Sequence, residues 1–261
     1  MNPYLDLTKL LHLPFLASEH GRKVDALIIY VHWLMIALFV GWIAYFFLVI
    51  YKFRKSKNPK ADYVGVKTHA ATYVEVAVAA VEGVLLLGLA IPLWAQAADR
   101  FPSEKEATVL RVTAEQFAWN ARYPGADGTF GKQDYRAVSS TNLLGYIADD
   151  PNGKDDFEVS NSAEMHVPVN KPVIVYLTSK DVIHSFQIDP MRMTQDAIPG
   201  MKIPLHFKPL ETGHYQIQCA QLCGGGHSKM LGHLIVDTDE DYAKWVAEKI
   251  SKQGSTATSF E

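Results

Sequence analysis

Residues 26–51 read ALIIYVHWLMIALFVGWIAYFFLVIY, a run without a formally charged side chain. As a helix these residues would extend about 39 Å, which is enough to cross a bilayer with some tilt. A second apolar run, residues 70–97, has Glu75 and Glu82 as its only charged side chains. Two such runs close together predict a transmembrane hairpin with helices at 26–51 and 70–97. The first run is too long, and starts too late, for a cleaved signal peptide.

The charges around these runs predict their orientation. The connecting loop, residues 52–69, carries six basic side chains and one acid, whereas residues 1–25 carry three of each. Since basic loops tend to stay in the cytoplasm, the loop is predicted to be cytoplasmic and residues 1–25 to be an exported segment. The chain beyond residue 97 is then exported as well. The prediction is a protein of the bacterial inner membrane with its C-terminal domain in the periplasm or outside the cell.

The rest of the chain has the pattern of an all-β domain. Residues 98–238 contain apolar runs separated by Pro, Gly and Asn, which predict about seven strands in a small sandwich or barrel: 107–112, 165–169, 172–177, 183–188, 203–207, 214–218 and 232–236. Residues 239–261 are predicted to form a helix near 239–251, followed by a disordered tail. With 48% apolar residues and a net charge of −3, the 261-residue chain is predicted to fold and not to bind nucleic acid.

The segment YIADDPNGKDDFE, residues 146–158, places five acids around a Pro-Asn-Gly turn. We interpret it as a solvated loop. A docking patch for a basic partner is the main alternative, and a calcium site is a more remote one because the acids lack EF-hand spacing.

The segment QCAQLCGGGHSKM, residues 218–230, contains both cysteines of the chain in the pattern C-x3-C-x3-H-x2-M. Its three consecutive glycines allow a tight turn, so that Cys219, Cys223, His227 and Met230 can converge. Thiolate, imidazole and thioether ligands together favour copper. Because two sulfurs in one loop can each bridge two metal ions, the segment predicts a compact dinuclear copper centre. His184, at the start of an apolar strand, is the best candidate for a second imidazole, and a hydrogen-bonded core histidine is the alternative.

The cysteine pair has other interpretations. Two exported cysteines four residues apart could form a disulfide, or could be the redox pair of a thioredoxin-like copper chaperone. Such a chaperone would show βαβ patterning, which this domain lacks. A zinc site is disfavoured because methionine is a poor zinc ligand.

Three motifs point to a known family: DVIHSF at residues 181–186, TQDAIPG at residues 194–200 and the segment 218–230. Together with the hairpin, they make the chain resemble subunit II of haem–copper cytochrome c oxidases, which carries the dinuclear copper centre Cu(A). The resemblance implies a two-helix transmembrane hairpin, an all-β cupredoxin-like sandwich or barrel, and a short C-terminal helix. It also implies six ligands: Cys219 and Cys223 would bridge both coppers, His184 and Met230 would complete one, and His227 with the backbone carbonyl of Gln221 would complete the other.

The chain departs from this family at two places near the predicted centre. Gln221 stands where the family usually has a glutamate whose carboxylate helps to bind magnesium, which puts that magnesium site in doubt. Phe117 stands at the tryptophan through which electrons usually arrive from cytochrome c, and Trp119 matches a second tryptophan. Either electrons take another route, through Trp119 or Tyr123, or the donor is not an ordinary cytochrome c. The alternative for all three aromatic side chains is packing in the core.

The second apolar run carries a further resemblance. Glu75 matches a family glutamate that marks the mouth of a proton channel in subunit I, and an ionisable side chain within a span usually faces protein or water. Glu82 has no family counterpart and could pair with a group of a partner subunit.

These observations predict the electron-accepting subunit of a respiratory terminal oxidase. Electrons from a periplasmic donor, a protein such as cytochrome c, would pass through Cu(A) to a haem in subunit I, where O2 is reduced to water. Haem is expected only in that partner, and further membrane subunits are expected beside it. The alternatives are the Cu(A) subunit of a nitric oxide reductase and a membrane-anchored copper carrier. A quinol oxidase subunit would lack Cys219 and Cys223.

Overall fold

The computed structural model describes residues 7–61, 63–65, 67–139, 142, 144–147, 149–161 and 164–256. The chain forms two compact units. One contains the residues up to Leu13 together with Lys23–Gln96, and the other contains Pro14–Arg22 together with the chain from Ala97 onward.

The first unit contains two helices that are long and apolar enough to cross a membrane. Helix α1 spans Gly21–Phe53 and helix α2 spans Ala70–Ala98. Helix α1 begins five residues before the apolar run, so its first turns include charged side chains. Helix α2 widens to a π-helical stretch at Val84–Ala90, just before Pro92. A proline lacks the N–H that an α-helix needs at this position, and the wider turns accommodate that loss.

The second unit is a β-sandwich with a C-terminal helix, α3 (Asp239–Thr256). Its strands are β1 (Thr108–Glu115), β2 (Ala118–Tyr123), β3 (Phe157–Val159), β4 (Glu164–Pro168), β5 (Val173–Ser179), β6 (His184–Ile188), β7 (Met193–Ala197), β8 (Ile203–Phe207), β9 (Gly213–Cys219) and β10 (Leu231–Asp237). One sheet has the order β3-β2-β1-β5-β8 and the other has the order β4-β10-β9-β6-β7. Neighbouring strands are antiparallel except for β1 with β5 and β4 with β10.

The all-β prediction is confirmed, but the count of about seven strands was too low. The seven predicted runs correspond to β1, β4, β5, β6, β8, β9 and β10, and the described residues add β2, β3 and β7. The apolar pattern did not predict strand β2, because Asn120 and Arg122 interrupt it. Both side chains are buried in the structure, where Arg122 pairs with Asp156 and Asn120 accepts from the amide of Asn161. Strand β3 has only three residues, and β7 reads MTQDA, so neither shows an apolar pattern.

Apolar side chains from the inner faces of both sheets form the core. The largest fully buried ones are Leu110, Trp119, Tyr123, Met165, Leu177, Phe186, Ile188, Ile217 and Met230. Strands β1 and β5 show the alternation of buried and less buried positions that follows from the two-residue period of a strand.

Helix α3 covers one end of this core. The hydroxyl of Thr238 accepts a hydrogen bond from the amide of Asp241 and caps the helix, whose first turn is acidic. Trp245 packs against the rings of Tyr123, Phe157 and His166. The helix continues to Thr256, so residues 254–256, which composition assigned to the disordered tail, are helical. Residues 257–261 of that tail lie outside the described part of the chain.

The segment Pro14–Arg22 packs on the sandwich. Ala17 and Ser18 are fully buried there. The amide of Ala17 donates to the carbonyl of Pro190, and the carbonyl of Ala17 accepts from the amide of Leu210, both at 2.8 Å. Part of the region predicted as an exported N-terminal segment therefore belongs to the β unit.

Candidate metal centre

Three neighbouring strands bring the predicted ligands to one end of a sheet. Strand β9 lies between β10 and β6 and is antiparallel to both. The end of β9 therefore meets the starts of the other two. Cys219 is the last residue of β9 and His184 is the first of β6. Met230 immediately precedes β10.

The chain between β9 and β10 supplies the remaining ligands; we call residues 219–230 the ligand loop. A short 3-10 turn, His227–Lys229, leads back into the sheet and is closed by backbone hydrogen bonds such as that from Met230 N to His227 O at 3.2 Å. Gly224 has φ 133°, a backbone conformation that L side chains rarely adopt. The three consecutive glycines at residues 224–226 thus allow the tight turn that the sequence predicted.

All six predicted ligands meet at this place. The two sulfurs, Cys219 Sγ and Cys223 Sγ, are 3.8 Å apart, and both cysteines are free. His184 Nδ1 lies 3.1 Å from Met230 Sδ and 3.9 Å from Cys219 Sγ. Cys223 Sγ lies 3.6 Å from His227 Nδ1 and 3.8 Å from Met230 Sδ, and Cys219 Sγ lies 3.1 Å from the carbonyl oxygen of Gln221.

Four of the six predicted ligands are buried, whereas His227 is half-buried and Gln221 is exposed. His184 and Met230 are fully buried, and Cys219 and Cys223 are 9% and 4% exposed. Burial, followed by the neighbouring thiol of Cys219, raises the pKa of Cys223 to about 11. A metal ion that binds here must displace thiol protons, as in other thiolate sites. His184, Cys219 and Cys223 form a group that could hold a metal ion, and their soft donors favour copper or zinc over calcium or magnesium.

A carboxylate orients the buried imidazole. Asp181 Oδ1 lies 2.9 Å from His184 Nε2, so that the other ring nitrogen, Nδ1, faces the sulfurs. Burial alone would raise the pKa of Asp181, but the hydrogen bonds from His184 and from the amides of Gln116 and Val182 outweigh it and lower that pKa. The residue pattern alone gave Asp181 no role, although Asp181 lies in the DVIHSF motif three residues before His184.

The three aromatic candidates for electron uptake occupy different environments. Phe117 is 39% exposed, and its ring lies against the ligand loop at Gly224 and Gly226. Trp119 is fully buried, with its ring centroid 6.1 Å from that of His184. Tyr123 is also buried, but its ring contacts Phe157 and Trp245 and none of the ligands. The structure thus brings Phe117 and Trp119 to the centre, whereas Tyr123 packs in the core near helix α3.

Glu75, the candidate for the mouth of a proton channel, lies outside the β unit. Glu75 is exposed on helix α2, and Glu82 is exposed two turns later on the same helix. For Gln221, the carbonyl oxygen faces Cys219, while the residue as a whole is exposed.

Comparison with known proteins gives consistent matches. The family described as "Cytochrome C oxidase subunit II, periplasmic domain" matches residues 108–237, from the first residue of β1 to the last of β10. The alternative cytochrome c oxidase subunit 2 of Bradyrhizobium diazoefficiens is 38% identical over 144 residues, which cover 55% of this chain and 52% of that protein. Cytochrome c oxidase subunit 2 of Cereibacter sphaeroides is 32% identical over 154 residues, covering 56% and 50%.

Among solved structures, the periplasmic domain of subunit II of cytochrome oxidase of Bradyrhizobium japonicum is 30% identical. It covers 58% of this chain and 97% of that chain with a TM-score of 0.42. The chain spans about half the length of the two relatives it matches by sequence.

Proposed function

Because the chain belongs to the cytochrome c oxidase subunit II family, we propose that it is the electron-accepting subunit of a respiratory terminal oxidase and holds the Cu(A) centre. One observation carries the proposal. Two cysteine sulfurs lie 3.8 Å apart, and each of the four other expected donor atoms lies within 3.9 Å of one of them. When bound, a dinuclear copper centre takes up and releases single electrons.

The residues divide into two ligand sets around the sulfurs. Cys219 and Cys223 would bridge both metals. His184 and Met230, whose donor atoms are 3.1 Å apart, would complete one site. His227 and the carbonyl oxygen of Gln221, each beside a different sulfur, would complete the other. This donor set fits Cu(A) in number and type, and a single-copper site would leave one of the buried thiols unused.

The surroundings favour an electron-transfer centre over a copper carrier. The ligands His184 and Met230 are fully buried, and backbone hydrogen bonds join the two ends of the ligand loop, from Cys219 N to Met230 O, and tie Ala220 N to Ser185 O in β6. Bound copper would then exchange slowly with other ligands in solution. A rigid ligand set also changes little when an electron arrives, which keeps the reorganisation small. A carrier needs the opposite properties.

The path of electrons to the centre is proposed to run through Trp119, with the donor docking on the surface at Phe117. This side chain is partly exposed and lies on the ligand loop, so a periplasmic donor such as a cytochrome c can reach it. Trp119 lies behind the surface and next to His184. Electrons would then pass to a haem of subunit I, in which O2 is reduced to water.

The two apolar helices fit a membrane-anchored protein. Residues 14–20 precede both helices yet pack on the β unit that follows them. If both helices span the bilayer, the segment and the sandwich lie on the same side, which agrees with the prediction of a transmembrane hairpin. We propose that the β unit is periplasmic, that α1 and α2 anchor it in the bacterial inner membrane beside subunit I, and that Glu75 marks the mouth of a proton channel in that partner.

The first test is metal content and electron paramagnetic resonance of the full chain, purified in detergent and reconstituted with copper. The expected result is two coppers per chain and a hyperfine pattern from one unpaired electron shared equally by both. Cys223→Ser should abolish that signal because it removes a bridging ligand. Ser228→Ala is the matched control, since Ser228 is an exposed residue of the same loop and no ligand.

Two results would contradict the proposal. One is a single, labile copper in the wild-type chain. The other is a Cys219–Cys223 disulfide that prevents metal binding under reducing conditions. The first would leave a copper carrier as the better account, and the second would leave no copper function for the cysteine pair. If the signal is present, oxygen consumption by the complex that co-purifies with the chain tests the terminal-oxidase assignment.

A further inference from the structure

One turn of the opposite sheet touches the ligand loop directly. Gln116 and Phe117 connect β1 to β2. The side-chain amide of Gln116 donates from Nε2 to the carbonyl oxygen of Cys223 at 2.6 Å, across 107 positions of sequence. This half-buried bond holds the backbone of a residue whose sulfur faces Cys219, His227 and Met230.

The same residue is also tied to the second ligand-bearing segment. The backbone N–H of Gln116 donates to Asp181 Oδ2 at 2.7 Å. The other oxygen of that carboxylate lies 2.9 Å from His184 Nε2. Gln116 therefore connects the Cys223 backbone, through its side chain, with the carboxylate that orients His184, through its main chain.

Packing confirms that the loop lies tightly on this turn. A Cβ atom added to Gly226 would lie 2.3 Å from the ring of Phe117, and one added to Gly224 would lie 2.7 Å from Gln116 Nε2. A side chain at Gly226 would displace the ring of Phe117, and one at Gly224 would displace the amide of Gln116. Both glycines thus allow Gln116 and Phe117 to lie directly against the loop.

We propose that Gln116 is a positioning residue of the metal centre: it fixes the Cys223 thiolate relative to Cys219 and His184. The inference rests on the proposed function, since it concerns the same centre. Without the amide donor, the carbonyl of Cys223 would be free to rotate, and the attached sulfur would shift relative to its partners. Neither the C-x3-C-x3-H-x2-M pattern nor the resemblance assigns this residue a role.

The test uses the full chain in detergent, reconstituted with copper, and two variants. Gln116→Ala removes the side-chain amide, and Gln116→Glu keeps nearly the same shape but has no N–H donor. Both retain the backbone bond to Asp181. We expect copper loss to a strong chelator to become about three- to tenfold faster, because a single neutral hydrogen bond is removed. We also expect the hyperfine pattern to change, which general destabilisation elsewhere in the domain would not cause.

Gln133→Ala is the matched control. Its side-chain Nε2 also donates to a backbone carbonyl, that of Leu144 at 3.3 Å, but away from the ligand loop. This variant should keep the wild-type rate of copper loss and the wild-type hyperfine pattern. Circular dichroism of all variants checks that they are folded, which is expected because Gln116 is an exposed residue.

The outcomes separate this inference from the proposed function. If the wild-type chain shows the shared-electron signal and both Gln116 variants keep its rate and pattern, the positioning role is overturned and the proposed function stands. If the wild-type chain lacks the signal, the proposed function fails first. If both Gln116 variants are unfolded, Gln116 is a structural residue and the positioning role is overturned as well.

Discussion

Two polar loops of the β unit differ in where their functional groups point. The ligand loop, residues 219–230, turns its sulfurs and imidazole towards one another. The acidic segment, residues 149–158, turns three of its carboxylates towards backbone amides, most of which lie in residues 126–132. Asp150 accepts hydrogen bonds from the amides of Lys132 and Asn152, and Asp155 accepts them from the amides of Ala126 and Asp127.

Asp156 shows the same behaviour in the interior. It accepts from the amide of Gly131 and pairs with Arg122, and both charged side chains are almost fully buried. The guanidinium of Arg122 also lies over the ring of Tyr146, with its carbon 3.9 Å from the ring centroid. Three of the five acids thus bind backbone amides, and Asp150 and Asp156 are buried, so the prediction of a solvated loop was wrong for these side chains. Carboxylates held in this way favour a structural loop over a docking patch.

The comparison teaches how to tell a binding loop from a structural one. In a structural loop, backbone groups satisfy the charged side chains, and nothing further is needed. At the ligand loop, each predicted metal-ligand atom lies 3.1–3.9 Å from at least one other. Most of these contacts involve sulfur, which forms only weak hydrogen bonds. Such an arrangement is stabilised by a group that binds to all of them.

Asp156→Asn should have the largest effect on stability. It leaves the charge of Arg122 buried without its partner, so the free energy of unfolding should fall by about 3 kcal/mol. Urea denaturation followed by tryptophan fluorescence measures this change. Asp155→Asn is the control, because its exposed carbonyl can still accept both amides, and it should cost less than about 1 kcal/mol. Equal losses of unfolding free energy in the two variants would contradict the structural role of Asp156. Loss of the copper signal from a folded Asp156→Asn variant would contradict the distinction between a structural loop and a binding loop.

Gly226→Ala should have an intermediate effect. Its Cβ would lie 2.3 Å from the ring of Phe117, so the ring or the loop must move, at a cost of about 2 kcal/mol. Gly225→Ala is its neighbour and control, since no heavy atom lies within 4 Å of the added Cβ. The same denaturation experiment and the rate of copper loss measure both variants. If the two substitutions behave alike, the loop does not depend on the turn beneath it.

The smallest effect concerns pH within the acidic segment. The amides of Lys132 and Asn152 lower the pKa of Asp150 below its ordinary value of 3.8, whereas burial raises the pKa of Asp156 above that value. As the pH falls, Asp156 takes up its proton first, and Asp150 does so only below pH 3.8. Stability contributed by the Asp150 bonds is therefore present above that pH and lost below it.

Hydrogen exchange of two adjacent amides checks this order. Gly131 donates to Asp156 and Lys132 donates to Asp150. The amide of Gly131 should lose protection at a higher pH than that of Lys132, after correction for intrinsic exchange rates. Asp150→Asn should remove the pH dependence at Lys132 only. Simultaneous loss at both amides would show that the segment opens as one unit.

Several features followed from the sequence alone because their causes are local. Apolar runs long enough to span a bilayer are visible in composition, and both proved to be continuous helices. The spacing of Cys219, Cys223, His227 and Met230 requires only a tight glycine turn, which the structure contains. The DVIHSF motif singled out His184, and the structure brings it to the same place.

Other features were decided by tertiary structure because they join residues that are distant in sequence. No local pattern indicates that Gln116 reaches Cys223, or that Pro14–Arg22 packs on the β unit. The role of the acids could not be inferred either, because a carboxylate near a turn looks the same whether it faces water or a backbone amide. The sequence determined which groups the chain offers to a metal. Only the pairing of β6, β9 and β10 determined that these groups share one point, since it places the end of β9 beside the start of β6, which lies 35 positions earlier in the chain.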